Sequence, residues 1–192
     1  MRKLLLLILS TSLLLVSCRS YQAQRLASEG YEQLMARDFS SAGASFAKAS
    51  EKDVDNHTYR YNYLLSLFLE GDYERVVKLS EEAFGEFDFN LSFLLLKAQA
   101  YREQSQYKQA LETYERLFAI DPGSYETQAE VMEASLSWNE KAIAQRLALG
   151  LLTVKGYEKR SLTVLSQLAG EESWYAHALA FVMKEGQTEG RQ

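Results

Sequence analysis

One cysteine, one proline and two histidines are all that 192 residues contain of these types. A lone thiol cannot close a disulfide within one chain. His57 and His177 are 120 positions apart, with no HExxH, no paired cysteines and no Gly-rich phosphate loop around them, so the usual zinc and nucleotide chemistries lack their ligands. Neighbouring carboxylates do occur, at Glu81 and Glu82 and at Glu171 and Glu172. They fall where solvated helix surface or first-turn charge is expected. An excess of basic residues is absent too, since 21 Lys and Arg against 26 Asp and Glu leave a net charge of −5. That balance disfavours nucleic acid and electrostatic docking on anionic lipid. Strand-like alternation is nowhere sustained, and the ten glycines fall mostly between helical runs, so the expected class is all-α. The expectation is a non-enzymatic chain with no metal and no cofactor.

The amino-terminal 17 residues read as a removable leader. Arg2 and Lys3 precede a thirteen-residue apolar run, 4–16, and Ser17 stands directly before Cys18. About 20 residues are needed to span the hydrocarbon of a bilayer, so the run is too short for a membrane helix. Leu15, Val16, Ser17 and Cys18 resemble the lipobox of bacterial lipoproteins. That resemblance implies diacylglycerol on the Cys18 sulfur, cleavage before Cys18, and an N-terminal lipid as the membrane anchor, one acyl chain alone being marginal. Arg19 in place of Asp favours the outer membrane, facing the periplasm, by the enteric sorting rule. Loss of residues 1–17 takes Arg2 and Lys3 away and leaves 19 basic against 26 acidic groups, a net −7. Residues 18–22 are expected to be a lipidated tether.

The central stretch, residues 91–124, holds two helical patterns interrupted near Gln104 and stopped at Asp121, Pro122 and Gly123. Small residues at Ala98 and Ala110 allow close helix approach, with Leu94, Tyr101, Tyr107, Tyr114 and Leu117 filling the space around them. These residues resemble the 34-residue tetratricopeptide repeat (TPR), with Ala98, Tyr101, Tyr107, Ala110, Tyr114 and Pro122 at its signature positions. The frame recurs: Phe39, Tyr73 and Tyr107 are spaced by 34, as are Ala42, Val76 and Ala110. Gly30 takes the small-residue position of the first unit. The resemblance implies a right-handed α-solenoid of antiparallel helix pairs over 23–56, 57–90, 91–124 and 125–158. Residues 159–185 are expected to form a divergent fifth pair or cap, and 186–192 a disordered tail. Gly85 is expected to end the second pair and Asn139 to cap the last helix of the fourth.

In TPR proteins the first helix of each pair lines the groove that receives a peptide. By that resemblance the groove would use Tyr31 and Met35 from the first unit and Tyr61, Leu65 and Phe68 from the second. Leu95, Gln99 and Arg102 would follow from the third, and Glu133 from the fourth. Asn62, Gln99 and Arg102 would bond the ligand's backbone or a carboxylate. The clamp of chaperone-type TPR domains is not reproduced, because only Asn62 agrees with it. Its other positions carry Ala27, Tyr31, Ser92 and Leu96. The implied function is a lipid-anchored scaffold that binds a protein or peptide in the assembly of an envelope complex. A peptidoglycan-directed enzyme or regulator, or a self-associating structural lipoprotein, are the alternatives.

Overall fold

The computed structural model describes the backbone of residues 2–87 and 90–189 and the side chains of residues 19–87 and 90–184. The Cys18 side chain and those of the leader lie outside the described residues, as do residues 190–192. Ten helices and no strand occur among the described residues: α1 (Arg2–Met35), α2 (Phe39–Lys52), α3 (His57–Glu70), α4 (Tyr73–Glu86), α5 (Leu91–Glu103), α6 (Tyr107–Ile120), α7 (Tyr125–Ser137), α8 (Lys141–Leu151), α9 (Glu158–Ala169) and α10 (Trp174–Glu189). None of them, over the described residues, is long and apolar enough to cross a membrane.

The helix starts carry the period. α3, α5 and α7 begin at His57, Leu91 and Tyr125, each 34 residues after the last, and α2, α4, α6 and α8 begin at Phe39, Tyr73, Tyr107 and Lys141 with the same step. The turns inside the pairs explain why the step is so regular. Arg37, Gly71, Ser105 and Asn139, again 34 apart, all adopt left-handed backbone, with φ of 60°, 91°, 58° and 61°. At each, two hydrogen bonds close the preceding helix: Asp38 N–H to Gln33 C=O, Asp72 to Leu67, Gln106 to Tyr101 and Glu140 to Ser135 are the wide ones, at 2.8–2.9 Å. This is the Schellman arrangement, which satisfies carbonyls that a helix end leaves open. Asp38 and Asp72 then also cap the next helix, accepting from the N–H of Ser41 and Arg75 at 3.1 and 3.3 Å. Between pairs, Asn56 and Asn90 cap α3 and α5 through the N–H of Thr58 and Ser92.

Several local expectations are corrected. Asn139 is the left-handed turn residue and not a helix cap; α8 starts at Lys141 after Glu140, which makes no side-chain cap bond. An asparagine tolerates that backbone because its short polar side chain suits it. Gly85 lies inside α4, which closes at Phe87 through its N–H on the Ala83 carbonyl. Residues 18–22 continue α1 and form no separate tether, and α10 runs to Glu189 through most of the tail expected to lack structure. The connection of α9 to α10 departs from the four others: Gly170 has φ 93° and ψ 166°, and its N–H reaches the Ser166 carbonyl at 2.9 Å.

Two compact units make up the chain, residues 1–113 and 114–192, dividing within α6. In the first, α1 packs on α2, α2 on α3, α3 on α4 and α4 on α5, while α3 also touches α5. Phe46, Leu64, Phe84, Phe93, Leu94 and Leu96 are buried there. In the second, α7 packs on α8 and α9, α8 on α9, and α9 on α10. Met132, Leu147, Leu151, Leu162, Val164 and Leu165 are buried there. Ala42, Val76, Ala110 and Ala144, which share one position of the repeat, have no exposed surface at all.

Candidate functional site

The first helices of the pairs in the first unit form a row, α1 beside α3 and α3 beside α5. Asn62 on α3 donates its side-chain N–H to the Tyr31 hydroxyl on α1 at 2.7 Å. Tyr61 on α3 sets its ring edge-on to Phe93 of α5, with centroids 6.2 Å apart. These contacts decide what the row can offer a ligand. Asn62 is only 8% exposed, so this amide, expected to bond a peptide, is already used inside the protein. Tyr61 is half-buried, and burial raises the pKa of its hydroxyl. Phe68 packs edge-on against Tyr73 of α4 at 5.3 Å, within its own hairpin.

Other side chains of the row remain open. Tyr31 keeps 45% of its surface exposed while its ring meets Phe46 edge-on at 5.0 Å. Met35 is 88% exposed and Leu69 44%. Leu65, Leu95 and Gln99 are half-buried. Arg102 is half-buried and pairs with the adjacent Glu103 at 3.3 Å. An unbranched thioether such as Met35 adapts to varied apolar partners. The open part of the row is thus apolar, with a cation near the end of α5.

Glu133 belongs to the second unit and has a different setting. It and Glu126, both on α7, converge on Arg160 of α9: Arg160 Nε lies 2.6 Å from one carboxylate and Nη1 lies 2.7 Å from the other. The hydrogen bond from Arg160 lowers the Glu126 pKa, and the two carboxylates hold the guanidinium cationic. A general acid needs the opposite shift. Tyr125 and Tyr157 face one another beside this group, with centroids 6.2 Å apart.

A cleft of about 860 Å³, to which no motif in the chain points, opens at the inter-pair turns of the first unit. Glu51, Asp55 and Glu86 line it together with His57, Arg60 and Asn90. Arg60 reaches Glu86 at 3.4 Å, and His57 stands edge-on to Phe87 at 6.4 Å. Both signs of charge meet there, so its electrostatics select neither an anion nor a cation. Its walls come from loops one period apart, which only the fold brings together. No group of three or more His, Cys, Asp or Glu that could hold a metal occurs among the described residues.

Residues 35–117 match the family model described as anaphase-promoting complex, cyclosome, subunit 3, and that family is of the TPR type. Over this segment the chain is built of TPR-type repeats. The matched segment runs from the end of α1 into α6, and so includes the left-handed turns at Arg37, Gly71 and Ser105. No curated protein matches the chain. TPR-type arrays are in general protein-binding scaffolds and typically not catalysts.

Proposed function

We propose that this chain is an adaptor of the bacterial cell envelope, tethered by lipid on Cys18, which holds a partner protein or peptide on the α1–α3–α5 row during assembly of an envelope complex. The observation that carries the binding face is the exposure of Tyr31, Met35 and Leu69 on helices that are otherwise well packed. An apolar side chain left open on a repeat scaffold is where binding free energy is available. Arg102 adds a cation for an acidic group or a carboxyl terminus. The anchor rests on the leader and on the lone cysteine at the end of its apolar run. On this reading the protein faces the periplasm from the outer membrane, needs no cofactor and makes no contact with nucleic acid.

Met35→Glu together with Leu69→Glu tests the face. Both side chains are already exposed, so the variant keeps its thermal stability and loses the protein that copurifies with the wild type; undiminished copurification removes the proposal. The anchor is tested separately by growing cells with an alkyne-bearing fatty acid. Label is expected on the wild type and not on Cys18→Ser, and an unlabelled wild type contradicts it.

A further inference from the structure

The residues that follow Cys18 are held against the body of the first unit. They continue α1 as helix, Ala23 is completely buried and Ala27 nearly so, and the Arg19 guanidinium donates to the Glu51 carbonyl in the last turn of α2, 3.3 Å away. Lipid on Cys18 therefore has no slack chain behind it, and it fixes which end of the unit meets a bilayer: the end that carries the turn from α2 to α3. Two recesses adjoin there. Arg19 and Lys52 line one of about 210 Å³, and this shares Val54 and Asp55 with the cleft of about 860 Å³ that Arg60 and Glu86 line.

Charge in these recesses is mixed and close to balance, with Arg19, Lys52 and Arg60 against Glu51, Asp53, Asp55 and Glu86. The cation of the cleft is under-used. Arg60 reaches Glu86 through Nη2 at a long 3.4 Å, and its Nε is buried without a hydrogen-bond partner. A buried donor left open costs free energy that an incoming acceptor recovers. Glu51 and Asp55 are exposed in the same cleft, so a ligand that suits it brings an anionic acceptor and a cationic donor together. We infer that the cleft holds the head group of a zwitterionic phospholipid, with the phosphodiester on Arg60 and a primary ammonium on Glu51 and Asp55. A purely anionic lipid would bring its charge to a surface that has one carboxylate more than it has cations. A quaternary ammonium has no N–H to give a carboxylate and is held by aromatic cages, where this cleft sets carboxylates. The approach to the bilayer rests on the proposed lipid at Cys18; the chemistry of the cleft does not.

Native mass spectrometry of the full chain, purified from cells in a neutral detergent and supplied with phosphatidylethanolamine, phosphatidylcholine or phosphatidylglycerol, measures both points at once. The intact mass reads lipid on Cys18, and the non-covalent adducts read the cleft. Phosphatidylethanolamine is expected to be retained in preference to the other two. Arg60→Gln should lower that retention about tenfold, the loss of one hydrogen bond to a charged group, and Arg60→Lys should restore part of it. Glu51→Gln with Asp55→Asn, both at exposed positions, should erase the preference over phosphatidylcholine with an unchanged helical circular dichroism spectrum. Soluble glycerophosphoethanolamine should displace the lipid, and glycine should not. Equal retention of the three lipids overturns the inference. So does retention indifferent to these substitutions, and so does displacement by glycine, which would make the cleft an amino-acid site. A chain without lipid on Cys18 that still prefers phosphatidylethanolamine upholds the cleft and contradicts the anchor.

Discussion

Gly30 on α1 lies so close to the ring of Phe46 on α2 that a β-carbon there would stand 2.9 Å from two of its ring carbons. Phe46 is completely buried, so the ring has nowhere to go. The same two positions of the second repeat carry Leu64 and Ser80, both completely buried, and those of the fourth carry Met132 and Ala148, also without exposed surface. Where the first helix holds a large residue the second holds a small one, and in the first pair the sizes are exchanged. Each hairpin thus fills one fixed volume in its own way.

Gly30→Ala is therefore expected to destabilise the protein by about 1 to 3 kcal/mol through overpacking. In a Phe46→Leu background, where the ring is gone, the same change should cost markedly less, the two sites being in contact. Urea unfolding of the four proteins measures this, and strict additivity would show that the two helices do not cross where described.

Gly43 looks similar in sequence and behaves oppositely. It lies inside α2, and a β-carbon there would meet only Ser66 Cβ at 3.5 Å and Tyr63 at 4.0 Å, ordinary contact distances. Gly43→Ala should raise stability by about 0.5 to 1 kcal/mol, the helix-interior penalty of glycine. A loss of stability on urea unfolding would mean that this glycine has a packing role.

Much of the fold could be read in the chain because the 34-residue period is written in small residues that have only one workable place, such as Ala42, Ala110 and Ala144. What stayed hidden follows from chemistry that several residue types can satisfy. The left-handed turn residues are Arg37, Gly71, Ser105 and Asn139, and only one is the glycine a reader looks for; Asn139 looks like a helix cap for the same reason that it tolerates the turn. The candidate face was partly legible. Tyr31 and Met35 are indeed exposed, but the pairing of Tyr31 with Asn62 depends on how α1 lies against α3, and no spacing within one helix contains that.

That pairing gives a further expectation. Tyr31→Phe keeps the ring against Phe46 and removes the acceptor for the buried Asn62 amide, so it should cost about 1 to 2 kcal/mol. Chemical denaturation checks it. Unchanged stability together with lost partner binding would instead mark the Tyr31 hydroxyl as a contact made to the ligand.

The Arg160 cluster should respond to acid. Glu126 is held below its usual 4.5 by the hydrogen bond from Arg160. A carboxylate depressed in the folded state contributes stability that is fully present above its unfolded pKa and is lost as pH falls through the folded value. Arg160→Gln should thus be less stable than the wild type at pH 7, and the gap should narrow as pH drops from about 5 to 3. Melting temperatures of both proteins across that range test the sign, and a gap that widens in acid would refute it.

The most direct test of the adaptor proposal is site-specific photocrosslinking in living cells from a photoreactive amino acid at position 35, followed by mass spectrometry of the adduct. The expected result is one discrete adduct with an envelope protein, formed at position 35 and absent when the same probe is placed at Val54, which is 63% exposed near the opposite end of α2. Equal, diffuse crosslinking from both positions, or none from position 35, would contradict a partner bound on the α1–α3–α5 row.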